Sequence, residues 1–137
     1  GQLEKSIVNY KEAIRFNNDH TDAYSNLGVV LSEQGKFEEA IEQFRKALHL
    51  NPNLFLVHNN MGTLLNQQGN IADAIFHYQQ AITLYPKFAK AHNNLGSALA
   101  GQGKLKEAIE YFENAININP NYVDASNNLE IARSLLK

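Results

Sequence analysis

The chain has 137 residues, of which 44% are hydrophobic and 19% are charged, and this balance predicts a folded domain rather than a disordered segment. Twelve Lys and Arg residues and fourteen Asp and Glu residues leave a net charge of −2, which argues against nucleic acid and membrane surfaces as partners. Without cysteine the chain can form neither disulfides nor thiolate metal sites. This composition is compatible with a reducing compartment, and we expect a cytoplasmic protein.

The sequence repeats with a period of 34 residues. This spacing separates the prolines Pro52, Pro86 and Pro120. Seven of the eight glycines form two columns with the same spacing, namely Gly1, Gly35, Gly69 and Gly103, and Gly28, Gly62 and Gly96. Such a period predicts stacked copies of one supersecondary unit, each of which buries its apolar face against its neighbours.

Residues 1–20 predict one helix, over about residues 2–17, which is the second helix of a truncated repeat. The helix that should pair with its apolar stripe of Leu3, Ile7 and Tyr10 would have preceded the first residue. Because the chain begins with Gly rather than Met, we expect a piece of a longer protein with further repeats upstream. The uncovered stripe also predicts self-association with another copy of the chain.

The first complete unit, residues 21–54, predicts two amphipathic helices. Apolar and small residues recur at spacings of three and four in Tyr24, Leu27, Gly28 and Leu31, and then in Phe37, Ala40, Ile41, Phe44, Ala47 and Leu48. Gly35 supplies the positive φ that ends the first helix, and Pro52 ends the second. Residues 55–88 and 89–122 repeat this pattern.

Residues 123–137 contain only a first helix. Glu130 stands in the column of Gly28, and Arg133 stands in the column of Leu31. Charged residues at these positions prevent another helix from packing closely on this face. We therefore expect a C-terminal capping helix.

These columns resemble the tetratricopeptide repeat, whose signature combines aromatic, Leu-Gly, Ala and Pro positions at fixed distances. In the first complete unit the matching residues are Tyr24, Leu27, Gly28, Leu31, Ala40, Phe44, Ala47 and Pro52. The later matches are His58, Met61, Gly62, Leu65, Ala74, Tyr78, Ala81 and Pro86, and then His92, Leu95, Gly96, Leu99, Ala108, Phe112, Ala115 and Pro120. The resemblance covers residues 1–137 as a single array. It implies an all-α fold, a right-handed superhelical solenoid of antiparallel helix pairs.

By the same resemblance, the first helices line a concave groove that meets the ligand. A helical wheel turns the residues outside the packing face of each first helix towards this groove. In the first unit these residues are Asp22, Ser25, Asn26, Val29 and Glu33. In the later units they are Leu56, Asn59, Asn60, Thr63, Asn66, Gln67, Lys90, Asn93, Asn94, Ser97, Ala100, Gly101, Asp124, Asn127 and Asn128. The predicted groove is rich in amides and almost uncharged.

One column of the predicted groove is asparagine in every unit: Asn26, Asn60, Asn94 and Asn128. A carboxamide both donates and accepts hydrogen bonds, so this ladder could bind the backbone of an extended peptide. The ladder resembles the inner surface of the tetratricopeptide superhelix of O-linked N-acetylglucosamine transferases, where such asparagines hold protein substrates. The alternative is that a chain with eighteen asparagines uses them to bridge adjacent helices.

The function that this pattern favours is a non-enzymatic interaction module for an extended peptide, with no cofactor and no metal. The alternative is a substrate-recruiting segment of a larger enzyme such as a glycosyltransferase, whose catalytic domain would lie outside these residues. A clamp for chaperone tails would need several basic groove residues to hold a carboxylate, and Lys90 is the only one. An RNA-binding pentatricopeptide array would need a longer period and a basic groove.

The five histidines predict no metal or catalytic site. His58 and His92 occupy the packing position of Tyr24, and repeat stacking holds neighbouring helices about 10 Å apart, which is too far for one shared metal ion. The other three fall in a loop or on second helices: His20, His49 and His77. No nucleophile motif, phosphate-binding loop or acid pair is present.

Overall fold

The computed structural model describes residues 1–137 and consists of helices joined by short turns. The helices are α1 (Gln2–Phe16), α2 (Thr21–Glu33), α3 (Phe37–Leu50), α4 (Phe55–Gln67), α5 (Ile71–Leu84), α6 (Ala89–Gly101), α7 (Leu105–Ile118) and α8 (Val123–Leu136). Each helix packs against the next one along the chain, and the alternate helices α2, α4, α6 and α8 also contact one another. The all-α array of paired helices that the sequence predicts is confirmed.

The turn inside each complete pair depends on a glycine with positive φ. The values are 76°, 81° and 78° at Gly35, Gly69 and Gly103. In the first pair the N–H of Lys36 donates to the carbonyl of Leu31 at 2.9 Å, and the N–H of Gly35 donates to the carbonyl of Ser32 at 3.0 Å. Glycine adopts this left-handed conformation without steric strain, so the first helices end where the period places a glycine.

Inside each complete pair, a glycine of the first helix lies against an aromatic ring of the second. A Cβ atom added to Gly28 would lie 2.5 Å from the ring of Phe44. The equivalent pairs are Gly62 with Tyr78 and Gly96 with Phe112, at 2.7 Å and 2.6 Å. Because these distances are shorter than carbon–carbon contact, only glycine lets the helices approach so closely.

Helix α1 contacts only α2, yet its apolar stripe is less open than the sequence predicts. Ile7 is 8% exposed and belongs to a continuous core of 19 buried residues that extends to Ala132 in α8. Leu3 and Tyr10 are partly buried. The prediction of an uncovered stripe is wrong for Ile7, because this side chain packs into the core on the side of α2.

Helix α8 carries charged side chains on a face that is buried in the preceding units. Arg133 donates to Glu113 at 2.7 Å, and Glu130 is exposed. One period earlier, the residues at the positions of Glu130 and Arg133 are Gly96 and Leu99, which are both buried. Helix α8 therefore presents polar groups to water where the other first helices pack against a second helix.

We expect Gly62→Leu to lower the free energy of unfolding by about 1 to 3 kcal/mol through overpacking. The added side chain overlaps the ring of Tyr78 and approaches the backbone carbonyl of Ala74. Urea denaturation followed by circular dichroism measures the change. Gly101→Leu is the matched control, because a Cβ at this helical glycine meets no atom within 4 Å. Equal unfolding midpoints for the two variants would contradict the helix pairing described above.

Candidate functional site

The predicted groove residues lie on one face of the first helices, which we call the groove face. Five of the predicted site residues on it are exposed: Asn26, Gln67, Lys90, Ser97 and Asn127. Five are partly buried: Asn60, Thr63, Asn66, Asn94 and Asn128. The remaining two, Asn59 and Asn93, are buried and only 2% and 7% exposed.

The buried amides bridge neighbouring first helices. The Nδ2 of Asn94 in α6 donates to the Oδ1 of Asn59 in α4 at 3.0 Å. The Nδ2 of Asn128 in α8 donates to the Oδ1 of Asn93 in α6, also at 3.0 Å. The same bond therefore recurs one repeat later, and it ties α4 to α6 and α6 to α8.

This arrangement corrects two of the predicted ligand contacts. Asn59 and Asn93 were expected to meet a ligand, but their side chains lie between helices and accept hydrogen bonds from within the chain. The physical reason is that a buried amide needs a partner, and the asparagine of the next repeat supplies one. For these residues the bridging alternative describes the structure better than ligand binding does.

In the first half of the array, the two asparagines of the ladder column, Asn26 and Asn60, are free. The position of Asn59 is occupied one repeat earlier by Ser25, whose Oγ donates to the carbonyl of Thr21 in its own helix at 3.0 Å. Asn60 therefore lacks the acceptor that Asn94 finds, and neither Asn60 nor Asn26 makes a side-chain hydrogen bond within the chain. Both carboxamides keep their full donor and acceptor capacity for a ligand.

A cavity of about 340 Å³ lies between α2 and α4, beside these free amides, and we call it the α2–α4 notch. Its apolar walls are Val29, Leu54, Phe55, Leu56 and Val57. Its polar residues are Asp22, Ser25, Asn26, Asn53 and Asn60. The helical wheel missed Asn53, Leu54 and Phe55 because they belong to the turn before α4 and to its first residue, which the wheel did not cover. It also did not assign Val57, inside α4, to the groove.

Thr63 helps to hold the groove face on the second helix beneath it. Its Oγ1 donates to the carbonyl of Asn59 at 3.1 Å and accepts from the hydroxyl of Tyr78 at 3.4 Å. Burial raises the pKa of the Tyr78 hydroxyl, and the hydrogen bond to Thr63 partly offsets that rise. Thr63 therefore has a structural role in addition to any ligand contact.

Away from the groove face, the structure brings together two histidines that the sequence did not connect. The Nδ1 atoms of His58 and His77 are 3.0 Å apart, and the Nε2 of His58 is 2.9 Å from the carbonyl oxygen of Pro52. Since a carbonyl can only accept, the Nε2 of His58 carries a proton. The Nδ1 of neutral His58 then accepts from the Nδ1–H of His77, and this bond links α4 to α5.

Burial, followed by the proximity of His58, lowers the pKa of His77 from 6.5 to about 4. The carboxylate of Asp73 raises this pKa, and the charge of Arg45 lowers it further. The folded state therefore holds His77 neutral under conditions in which the unfolded chain would protonate it.

We expect this difference to make the fold less stable in mild acid. The stabilising contribution is complete above about pH 6.5 and is lost as the pH falls towards about 4. Between about pH 7.5 and about pH 5 the loss should stay below about 1 kcal/mol, because water partly screens the ring. Urea midpoints at both pH values measure it. The variant His77→Gln carries the residue that Gln43 provides one repeat earlier. It should lose less stability than the parent chain over this pH range, and an equal loss would contradict the role of His77 in the acid sensitivity.

No helix of the chain combines the length and the apolar character that crossing a membrane requires. No group of three or more His, Cys, Asp and Glu side chains is arranged to hold a metal ion.

Sequence models of one repeat family match most of the chain. A model described as tetratricopeptide repeat matches residues 21–54 and 89–122, and a model described as TPR repeat matches residues 1–35 and 62–103. A third model, again described as tetratricopeptide repeat, matches residues 44–76. No curated protein matches the sequence closely enough to count as a relative.

Solved structures share the fold along nearly the whole chain. MamA is 25% identical, with a TM-score of 0.92 over 98% of this chain and 78% of that chain. YrrB, described as a TPR protein with an unusual peptide-binding site, is 25% identical, with a TM-score of 0.85 over 98% of this chain and 69% of that chain. The first TPR domain of Spaghetti (RPAP3), bound to the HSP90 peptide SRMEEVD, is 25% identical, with a TM-score of 0.82 over 85% of this chain and 92% of that chain.

Proposed function

We propose that this chain, which belongs to the tetratricopeptide repeat family, is an interaction module that binds an extended segment of another protein on its groove face. The observation that carries the proposal is the position of two free amides, Asn26 and Asn60, at the border of the apolar α2–α4 notch. A surface with free carboxamides beside an apolar cavity suits a peptide, which offers both backbone polar groups and apolar side chains.

The spacing of the helices supports an extended ligand. Neighbouring packed helices lie about 10 Å apart, and an extended chain rises about 3.3 Å per residue. Successive asparagines of the column therefore meet about every third ligand residue. Each free carboxamide accepts from one ligand N–H and donates to one ligand carbonyl, so the contacts do not depend on the ligand's side chains.

The bridged asparagines take a smaller part in this proposal. Asn94 and Asn128 each use one N–H of Nδ2 on Asn59 or Asn93, so each can offer a ligand its oxygen and at most one N–H. In the ladder, Asn26 of α2 and Asn60 of α4 thus have all their polar groups available to a ligand, whereas Asn94 of α6 and Asn128 of α8 have fewer. We infer that ligand binding is strongest in the first half of the array.

The structural neighbours support peptide binding without identifying the peptide. YrrB is described with a peptide-binding site, and the RPAP3 domain is bound to a peptide that contains three acidic residues. The groove face of this chain has only Lys90 as a basic residue, so we do not propose an acidic tail as its ligand. We propose no catalytic role for these residues, because the groove face offers amides and aliphatic side chains in place of paired acids or an activated nucleophile.

Two expectations about the array stay predictions. We propose that residues 21–54, 55–88 and 89–122 are complete repeats, flanked by the second helix of a truncated repeat and by a capping helix. Self-association through α1 would have to use the partly buried Leu3 and Tyr10, since Ile7 is already in the core. A rise of the sedimentation-average mass with concentration would support such an interface.

The free amides provide the central test. We expect the double variant Asn26→Ala with Asn60→Ala to weaken binding of a library-selected peptide by about 5-fold to over 100-fold, if each lost carboxamide contributes about 0.5 to 1.5 kcal/mol in net hydrogen bonding. Isothermal titration calorimetry measures the affinity. Methylating the peptide's backbone amides should weaken binding more than scrambling its side chains does.

The bridged amide Asn94 provides the contrast. Asn94→Ala removes the donor from the buried Oδ1 of Asn59, so we expect it to cost about 1 to 3 kcal/mol of stability. The double variant at Asn26 and Asn60 should keep the stability of the parent chain. If that double variant binds the peptide as tightly as the parent does, or if it loses as much stability as binding energy, the free amides are not the binding groups.

A further inference from the structure

One turn between repeats departs from the other three. Three asparagines, each at the C-terminal end of a second helix, accept with Oδ1 from the backbone N–H two residues later, at 3.1, 3.0 and 3.2 Å: Asn17, Asn51 and Asn119. The equivalent residue after α5 is Tyr85, whose backbone angles are similar (φ −139°, ψ 87°) but whose side chain cannot form this bond. The turn after α5 therefore lacks the side-chain-to-backbone hydrogen bond that the other three turns have.

The side chain of Tyr85 forms an aromatic cluster instead. Its ring stacks on Phe55 with the centroids 4.9 Å apart, and Phe88 meets Phe55 edge-on at 5.2 Å. At the position of Phe55 the other first helices begin with residues that are not aromatic: Thr21, Ala89 and Val123. Phe55 is a wall of the α2–α4 notch, and Tyr85, which stands where the other turns have asparagine, supports this ring at a position that is not aromatic in the other first helices.

The notch also has a distinctive charge. Asp22 is the only charged residue that lines it, and Asp22 is exposed and forms no ion pair within the chain. In the same column, the next residues are Leu56, Lys90 and Asp124. The α4–α6 surface thus has no acid in this column, and the α6–α8 surface has a base beside its acid. An acid without a neighbouring base occurs only at α2–α4.

From these contacts we propose that the α2–α4 notch takes an arginine or lysine side chain of the bound segment. The inference rests on the proposed function, because it names the side chain that enters the groove beside Asn26 and Asn60. The aliphatic stem of such a residue packs on Val29 and Leu56, and its cationic end reaches Asp22 and the face of the Phe55 ring. The cavity of about 340 Å³ has room for one long side chain.

The test uses the full chain, isotopically labelled, and peptides of the sequence acetyl-Ser-Thr-Val-X-Val-Thr-Ser-amide, with Arg, Lys, norleucine or Glu at X. Norleucine keeps the length of the stem and removes the charge. Backbone amide shifts recorded during titration give both the affinity and the location of binding. At low salt we expect the Arg peptide to bind about 3-fold to 30-fold more tightly than the norleucine peptide, with the largest shifts in α2 and α4.

Two variants and one control variant separate the contact of the ligand with Asp22 from its contact with the Phe55 ring. Asp22→Asn should reduce the affinity of the Arg peptide and leave that of the norleucine peptide unchanged. Asp124→Asn is the matched control, because it also removes an acid from the first turn of a first helix, but outside the notch. Tyr85→Asn should keep the fold, since asparagine can accept the N–H of Lys87 as in the other turns. It should lower the affinity of the Arg peptide by about 2-fold to 5-fold through loss of the supported ring.

The outcomes distinguish this inference from the proposed function. Equal affinities for the Arg and norleucine peptides, with shifts still in α2 and α4, would overturn the basic side chain and leave the groove proposal in place. If the Glu peptide binds more tightly than the Arg peptide, the proposed basic side chain is likewise overturned. If no peptide shifts the amides of α2 and α4, the groove proposal itself is contradicted and this inference falls with it.

Discussion

The contact of a glycine with an aromatic ring inside each helix pair sets the geometry on which the rest of the array depends. Gly28 and Phe44 approach so closely that a single added carbon would overlap the ring, and the later pairs repeat this contact. Because the contact fixes the distance between the two helices, the complete pairs are nearly identical blocks. Stacking identical blocks places the same column of residues at the same height on every first helix.

This regularity decides which amides remain free. Asn94 donates a hydrogen bond to Asn59, and Asn128 donates one to Asn93, because the repeat places a donor and an acceptor asparagine side by side on two successive pairs of first helices. Ser25 stands in α2 where α4 and α6 have asparagine, so the carboxamide of Asn60 in α4 remains unpaired. Departures from the repeat, rather than the repeat itself, therefore create the surface that a ligand can use.

The sequence predicted the helices and their order well, because each pattern recurs and a glycine or proline marks most of the ends. It predicted the candidate site less well. A helical wheel gives the direction of Asn93 on its own helix, but it does not give the distance to the neighbouring helix that buries it. The bond between His58 and His77 joins residues 19 apart, which is not a repeat distance, so periodicity carried no signal for it. Phe55 lines the notch but is the first residue of α4, which the helical wheel did not cover.

The energetics of an amide ladder explain why a notch is needed beside it. Two free amides contribute about 1 to 3 kcal/mol together, whereas a micromolar complex requires about 8 kcal/mol. Apolar contact with Leu56 and Phe55 must therefore supply much of the remainder. A ladder that binds only the ligand backbone does not fix the ligand's register, since every ligand residue offers the same backbone N–H and C=O groups. A single cavity with one acid, Asp22, breaks this equivalence, because only one position of the ligand can place a matching side chain there.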